Sequence, residues 1–213
     1  MSEAEFSLVG TVALARLPAL LALLAEQCGN AGDQTPVWER RFKSRLPADQ
    51  RGLGEMRLLA HTDASHAMLK SESVDRLAVQ ALIVPRQQPV LLARRVARVP
   101  VDGGAAPHFV AALGFELQHE ALRRGWEFRH GAATVSVFEL SRRRRDGAGA
   151  QPSGGEEDAW EAIGDGSLRL VEVLVHGTGE LAPLAKEADA WVATLTKQNL
   201  VDLAPAAGAR SAY

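Results

Sequence analysis

Cysteine is almost absent from this 213-residue chain. Cys28 stands alone, so no internal disulfide can form and a reducing compartment is expected. It also closes a helical run, where the negative end of the helix dipole disfavours a thiolate, so no nucleophilic role is expected of it. A surplus of charge is missing too. With 24 Lys and Arg against 26 Asp and Glu, the formal charge is -2, which lacks the excess of cations that sequence-independent nucleic-acid binding requires. Direct DNA binding is therefore not expected. Long apolar runs are also lacking. The leucine-rich stretch 9–24 is interrupted by Arg16 and Pro18 and preceded by Glu3 and Glu5 rather than basic residues, so it reads neither as a leader peptide nor as a membrane span. The chain reads as soluble and intracellular. No P-loop, nucleophile elbow or Gly-x-Gly-x-x-Gly fingerprint occurs.

What is present is an ordinary globular composition, 46% apolar and 23% charged, enough to bury a core. Residues 6–12 are rich in strand formers. Leu14, Leu17, Leu20, Leu21 and Leu24 then recur at helical intervals, with Pro18 tolerable only near the helix start and Gly29 and Asn30 as a stop. Residues 35–46 alternate, with Glu39, Arg41 and Lys43 on one face and Trp38, Arg40 and Phe42 on the other, as in a half-exposed strand. Further strands are expected at 56–61, 77–84 and 90–99. A two-turn helix at 107–113 should be capped by Gly114. Residues 115–120 and 126–128 read as strands flanking a turn at Arg123, Arg124 and Gly125, and 134–140 alternates again.

Between 142 and 166 lie four consecutive arginines, Arg142, Arg143, Arg144 and Arg145, then small residues and the acidic Glu156, Glu157 and Asp158. This composition buries too little apolar surface to offset its ordering entropy, and it reads as a flexible insertion in which Trp160 and Ile163 form at most a local turn. The arginine run suits a solvated linker better than a binding segment. A strand at 168–176 and an amphipathic helix at 180–199, carrying Leu184, Ala188, Trp191 and Leu195 on one stripe, follow. About eight strands with three helices and no regular strand-helix alternation predict an α+β fold: a mainly antiparallel, curled, barrel-like sheet with helices packed on it. The expected organisation is one domain over 1–204 and a flexible tail over 205–213. Leu8, Val12, Phe115, Phe138, Leu170 and Trp191 form the expected core.

The region 91–140 carries Leu-Ala-Arg-Arg-Val-x-x-Val, a helix closed by Leu113, Gly114 and Phe115, then Phe-x-Leu-x-His-Glu, Arg-Arg-Gly-Trp-x-Phe and Val-Ser-Val-Phe-Glu-Leu. In order and spacing this resembles the Mediator subunit 18 family, of the head module of the transcriptional Mediator complex. The resemblance implies a barrel-like sheet and a non-catalytic nuclear scaffold that couples regulators to RNA polymerase II. Its implied partners are the sister Mediator subunit 20 and a C-terminal helix of Mediator subunit 8. An unaffiliated small binding barrel is another reading.

The enzymatic alternative is a metal-dependent triphosphate tunnel hydrolase, whose first strand carries Glu-x-Glu-x-Lys. Glu3 and Glu5 have that spacing, but Ser7 stands in place of the lysine. Arg94 and Arg98, or Arg41, Lys43 and Arg45, could line a tunnel, yet only Glu116, Glu120, Glu139 and Glu172 are at hand as further carboxylates. The expectation is that the chain is not an enzyme. His61, Asp63 and His66 have a spacing that suits a metal but lack a third local ligand, so a solvated turn is the better reading. His119 and His176 read as strand-end residues. No catalytic, cofactor-binding or metal-binding residue is therefore singled out, no cofactor is expected, and partner contacts are not legible.

Overall fold

The computed structural model describes residues 3–34, 36–45, 55–61, 67–73, 92–101, 105–143, 160–178 and 180–204. Ten strands and three helices are built from them. They run β1 (Glu3–Ala13), α1 (Leu17–Cys28), β2 (Val37–Ser44), β3 (Glu55–His61), β4 (Ala67–Ser73), β5 (Leu92–Val101), α2 (Ala106–Ala112), β6 (Phe115–His130), β7 (Ala133–Arg143), β8 (Trp160–Ala162), β9 (Leu168–Gly177), α3 (Leu181–Lys197) and β10 (Asp202–Leu203).

Every pairing among the described strands is antiparallel. Neighbours follow the order β1, β5, β4, β3, β2, β6, β7, with β9 pairing both β7 and β1. The path of paired strands thus returns to its first member, which gives the sheet its curl. The expected α+β architecture is the one observed, and the short strands β8 and β10 extend the rims of β7 and β1.

Alternation divides each strand between two faces. On the outer face Phe6, Leu8 and Val12 of β1, Phe128 of β6, Val135 and Val137 of β7, and Val171, Val173 and Val175 of β9 pack under α1 and α3, which contribute Leu20, Leu24, Ala188, Trp191 and Leu195. A second outer core joins Phe42, Met56, Leu58, Ala60 and Phe115 to Ala106 and Val110 of α2. Phe138, with Ala121, Leu140 and Leu170, forms a third cluster. The six residues expected to share one core are therefore spread over three.

Local chemistry sets the element ends. α1 begins at Leu17 with proline in its first turn, where no backbone donor is lost, and ends at Gly29 in the left-handed conformation (φ 67°). Gly114 (φ 85°) follows α2 in the same way.

Two differences from the sequence reading matter. β6 is one continuous strand, not two strands about a turn at Arg123, Arg124 and Gly125. Gly125 serves close approach instead: a Cβ there would lie 2.0 Å from the Val137 carbonyl oxygen of the neighbouring strand. The ends of the expected insertion are also paired strand, because Ser141, Arg142 and Arg143 of β7 face Ala162, Glu161 and Trp160 of β8. Its centre, 144–159, lies outside the described residues, as do the expected strand at 77–84 and the tail. β4 was not expected; its Met68, Lys70 and Glu72 mix apolar and charged residues, which weakens the alternation signal.

Candidate functional site

The inner face of the curled sheet is where charge collects. Glu39 alternates with Trp38 and Arg40, so it points inward, and the inward residues of its neighbours β3 and β6 include Arg57 and Arg123. Glu172, between Val171 and Val173 on β9, also points inward. All four are buried. Arg123 donates from Nε to Glu39 Oε2 at 2.5 Å and from Nη1 to Glu172 Oε2 at 2.7 Å. Its Nη2 lies 2.5 Å from the same Glu39 oxygen without hydrogen-bond alignment, so charge rather than a hydrogen bond holds it. Arg57 and Arg41 each donate from Nε to Glu39 Oε1, at 2.9 and 2.8 Å. Arg57 also stands 3.8 Å from Glu172, which joins strands that are not neighbours in the sheet. The Arg123 guanidinium lies over the Phe138 ring, 4.3 Å from its centre.

Burial alone would raise the carboxylate pKa values, but the guanidiniums reverse the direction. Burial pushes Glu39 up, and Arg123, Arg57 and Arg41 together hold it well below the usual range. Glu172 feels the same opposition and is brought down to about 2 by Arg123 and Arg57. For Arg123, burial favours losing the proton, and Glu39 and Glu172 more than offset it. All three groups are thus held in their charged forms.

A second inward group lies on β1 and β5. Arg98 donates to Glu3 and to Glu5, and Glu5 is wholly buried. His176 Nδ1 stands 3.6 Å from Glu3. Glu3 and Glu5, the pair with metal-ligand spacing, are therefore bridged by a guanidinium. Among the described residues no group of three or more His, Cys, Asp or Glu side chains is arranged to hold a metal.

The outer face carries a different feature. An open pocket of about 590 Å³ lies between α2 and the strands β2 and β6, lined by Phe42, Pro107, Ala111, Phe115 and Leu117. The ion pairs Arg40 to Glu120 and Arg45 to Glu116, both 2.6 Å, edge it. Phe109, Leu113 and Leu117 are about half exposed, at 52%, 50% and 51%.

The sequence residues fall into place unevenly. Arg41, Glu172, Glu3, Glu5 and Arg98 lie on the inner face as alternation allows, whereas Glu116 and Glu120 edge the outer pocket. Glu139 instead pairs with Arg169 at 3.0 Å. His119 pairs opposite Arg41 within β6 rather than at a strand end. Asp63 and His66 lie outside the described residues, as does the side chain of His61. Glu39, Arg57 and Arg123 were missed as a constellation, because they come from three strands and Arg123 was read as a turn. Cys28 is partly buried, and burial pushes its thiol pKa up. Among the described residues no helix is long and apolar enough to cross a membrane.

No protein-family model and no curated protein sequence matches the chain. Solved structures do. A chain of the Schizosaccharomyces pombe Mediator head module is 16% identical with a TM-score of 0.66, over 94% of this chain and 97% of that one. The PH1819 protein of Pyrococcus horikoshii is 10% identical with a TM-score of 0.56, over 94% and 93%. A proposed adenylate cyclase from Vibrio parahaemolyticus is 11% identical with a TM-score of 0.56, over 92% and 90%. The chain thus has the curled-sheet fold that these proteins share, and at such identities the likeness concerns the fold alone. The expectation that the chain is not an enzyme is corrected by this comparison. Its fold also serves a proposed cyclase, and its inner face gathers carboxylates and guanidiniums from several strands, so enzymatic function is open to it.

Proposed function

We propose that the chain is a scaffold subunit of a Mediator head module, of the subunit 18 kind, acting in the nucleus as one domain over 1–204. Its role is to join transcriptional regulators to RNA polymerase II through contacts with the sister subunit 20 and a C-terminal helix of subunit 8. The observation that carries this reading is the outer surface at α2, where Phe109, Leu113 and Leu117 leave apolar area open beside a pocket edged by ion pairs. An apolar centre with a polar rim is the anatomy of a protein-binding surface. The likeness to the Mediator head chain along nearly the whole of both chains supports the reading. A pull-down from nuclear extract followed by mass spectrometry tests it. Mediator head subunits should be captured by the native chain and lost with Leu113→Asp plus Leu117→Asp; capture of unrelated proteins alone contradicts the reading.

A second reading, binding and turnover of an oligophosphate on the inner face, is favoured by the gathering of Arg41, Arg57, Arg98 and Arg123 there. The divalent cation that such tunnel enzymes use does not fit the residues present. A hard cation needs several free carboxylate oxygens, whereas each of Glu3, Glu5, Glu39 and Glu172 already gives at least one of its oxygens to a guanidinium, and Glu39 gives both. Phosphate release from inorganic tripolyphosphate, lost on Arg123→Met in a folded protein, would establish this reading over the first.

A further inference from the structure

We infer that the network of Glu39, Arg57, Arg123 and Glu172 is a clasp that makes the two outer apolar cores open as one unit. Among the described residues the two cores share none. Arg57 and Glu172, however, each sit back to back with one of them, and Glu39 and Arg123 lie on strands that feed them. Glu39 and Arg57 alternate with Phe42, Met56 and Leu58, whose outer side chains build the core under α2. Glu172 lies between Val171 and Val173, which build the core under α1 and α3. Arg123 occupies the middle of β6, the strand that sends Phe115 to one core and Phe128 to the other.

Alternation couples the faces rigidly, since a strand that shifts outward to loosen its apolar side must carry its inward charge along. Arg123 holds Glu39 and Glu172 at once through one oxygen of each, and Arg57 approaches the other oxygen of both. If β9 withdrew alone, Arg123 would remain buried with half its compensating charge removed. A buried ion left with too little opposite charge is far costlier than the intact network. Opening of the first core therefore draws the second with it, whereas without the clasp the cores are separate cooperative units.

Hydrogen exchange read by mass spectrometry tests this on the whole chain. Glu172→Gln keeps the shape and one acceptor oxygen but removes the charge. Exchange should rise at least tenfold both in β9 and in α2, whose Ala106 and Val110 belong to the other core. A smaller rise in α2, or an equal rise with the surface control Glu161→Gln, overturns the clasp. A measurement on the unmodified chain covers the case in which the variant does not fold. In rising low concentrations of guanidinium, the slowest amides of β3 and of β9 should converge on one opening free energy with one denaturant dependence. Two distinct openings overturn the inference.

Discussion

Glu172 is charged and buried because two guanidiniums take the place of water around it. Its folded pKa of about 2 lies below the ordinary glutamate value, so its contribution to stability is present above the unfolded pKa and is lost as pH falls through the folded one. Melting temperature should accordingly fall as pH is lowered from about 5 towards 2, and fall less steeply in Glu172→Gln; equal slopes would show that this carboxylate is not linked to folding. Removing Glu39 leaves three guanidiniums short of their shared acceptor, and Glu39→Ala should cost about 3–5 kcal/mol by denaturant unfolding. Gly125→Ala places a methyl group against the Val137 carbonyl oxygen, and a loss of about 3 kcal/mol is expected. Alternation at 37–43 showed Glu39 on a face with Arg41. What it could not show was what stood opposite, because ion pairs between strands depend on pairing register, and Arg123 lies 84 positions away.

Elements were legible where local chemistry sets them. Pro18 and Gly29 bound α1, Gly114 follows α2, and the stripe of Ala188, Trp191 and Leu195 marks α3. They were illegible where a tertiary contact overrides a local signal. Arg123, Arg124 and Gly125 read as a turn because glycine breaks strands, yet β6 continues through them since its neighbour comes too close for a side chain. The far end of the expected insertion, Trp160, Glu161 and Ala162, joins β7 as β8 because backbone pairing of three residues needs no apolar periodicity. For residues 144–159 we propose a dispensable connection between β7 and β8. Replacing them by a short Gly-Ser linker should leave the melting temperature within a few degrees, because loop-closure entropy varies only slowly with length; a larger loss would show that the segment packs on the sheet. Trp191 anchors α3 on the sheet, so Trp191→Ala should cost about 3–5 kcal/mol in unfolding experiments.

Among the described residues, the charged groups Glu39, Arg57, Arg123 and Glu172 on the inner face offset one another, and the outer face leaves apolar surface uncovered at α2. A scaffold needs the first for a fixed shape and the second for a partner. The curled sheet was readable from strand count and turn spacing, but the distribution of charge inside it was not, and the non-enzyme expectation was overturned by the likeness to a proposed cyclase of the same fold. Ligands that bind the folded state raise its stability in proportion to the logarithm of their free concentration. The most direct test is therefore to titrate the purified chain with Mediator subunit 20 and a subunit 8 C-terminal helix from the same organism and to follow its melting temperature. A rise that grows with partner concentration and disappears with Leu113→Asp plus Leu117→Asp is the predicted result, whereas an unshifted melting temperature in a stable, monomeric chain would contradict the scaffold assignment.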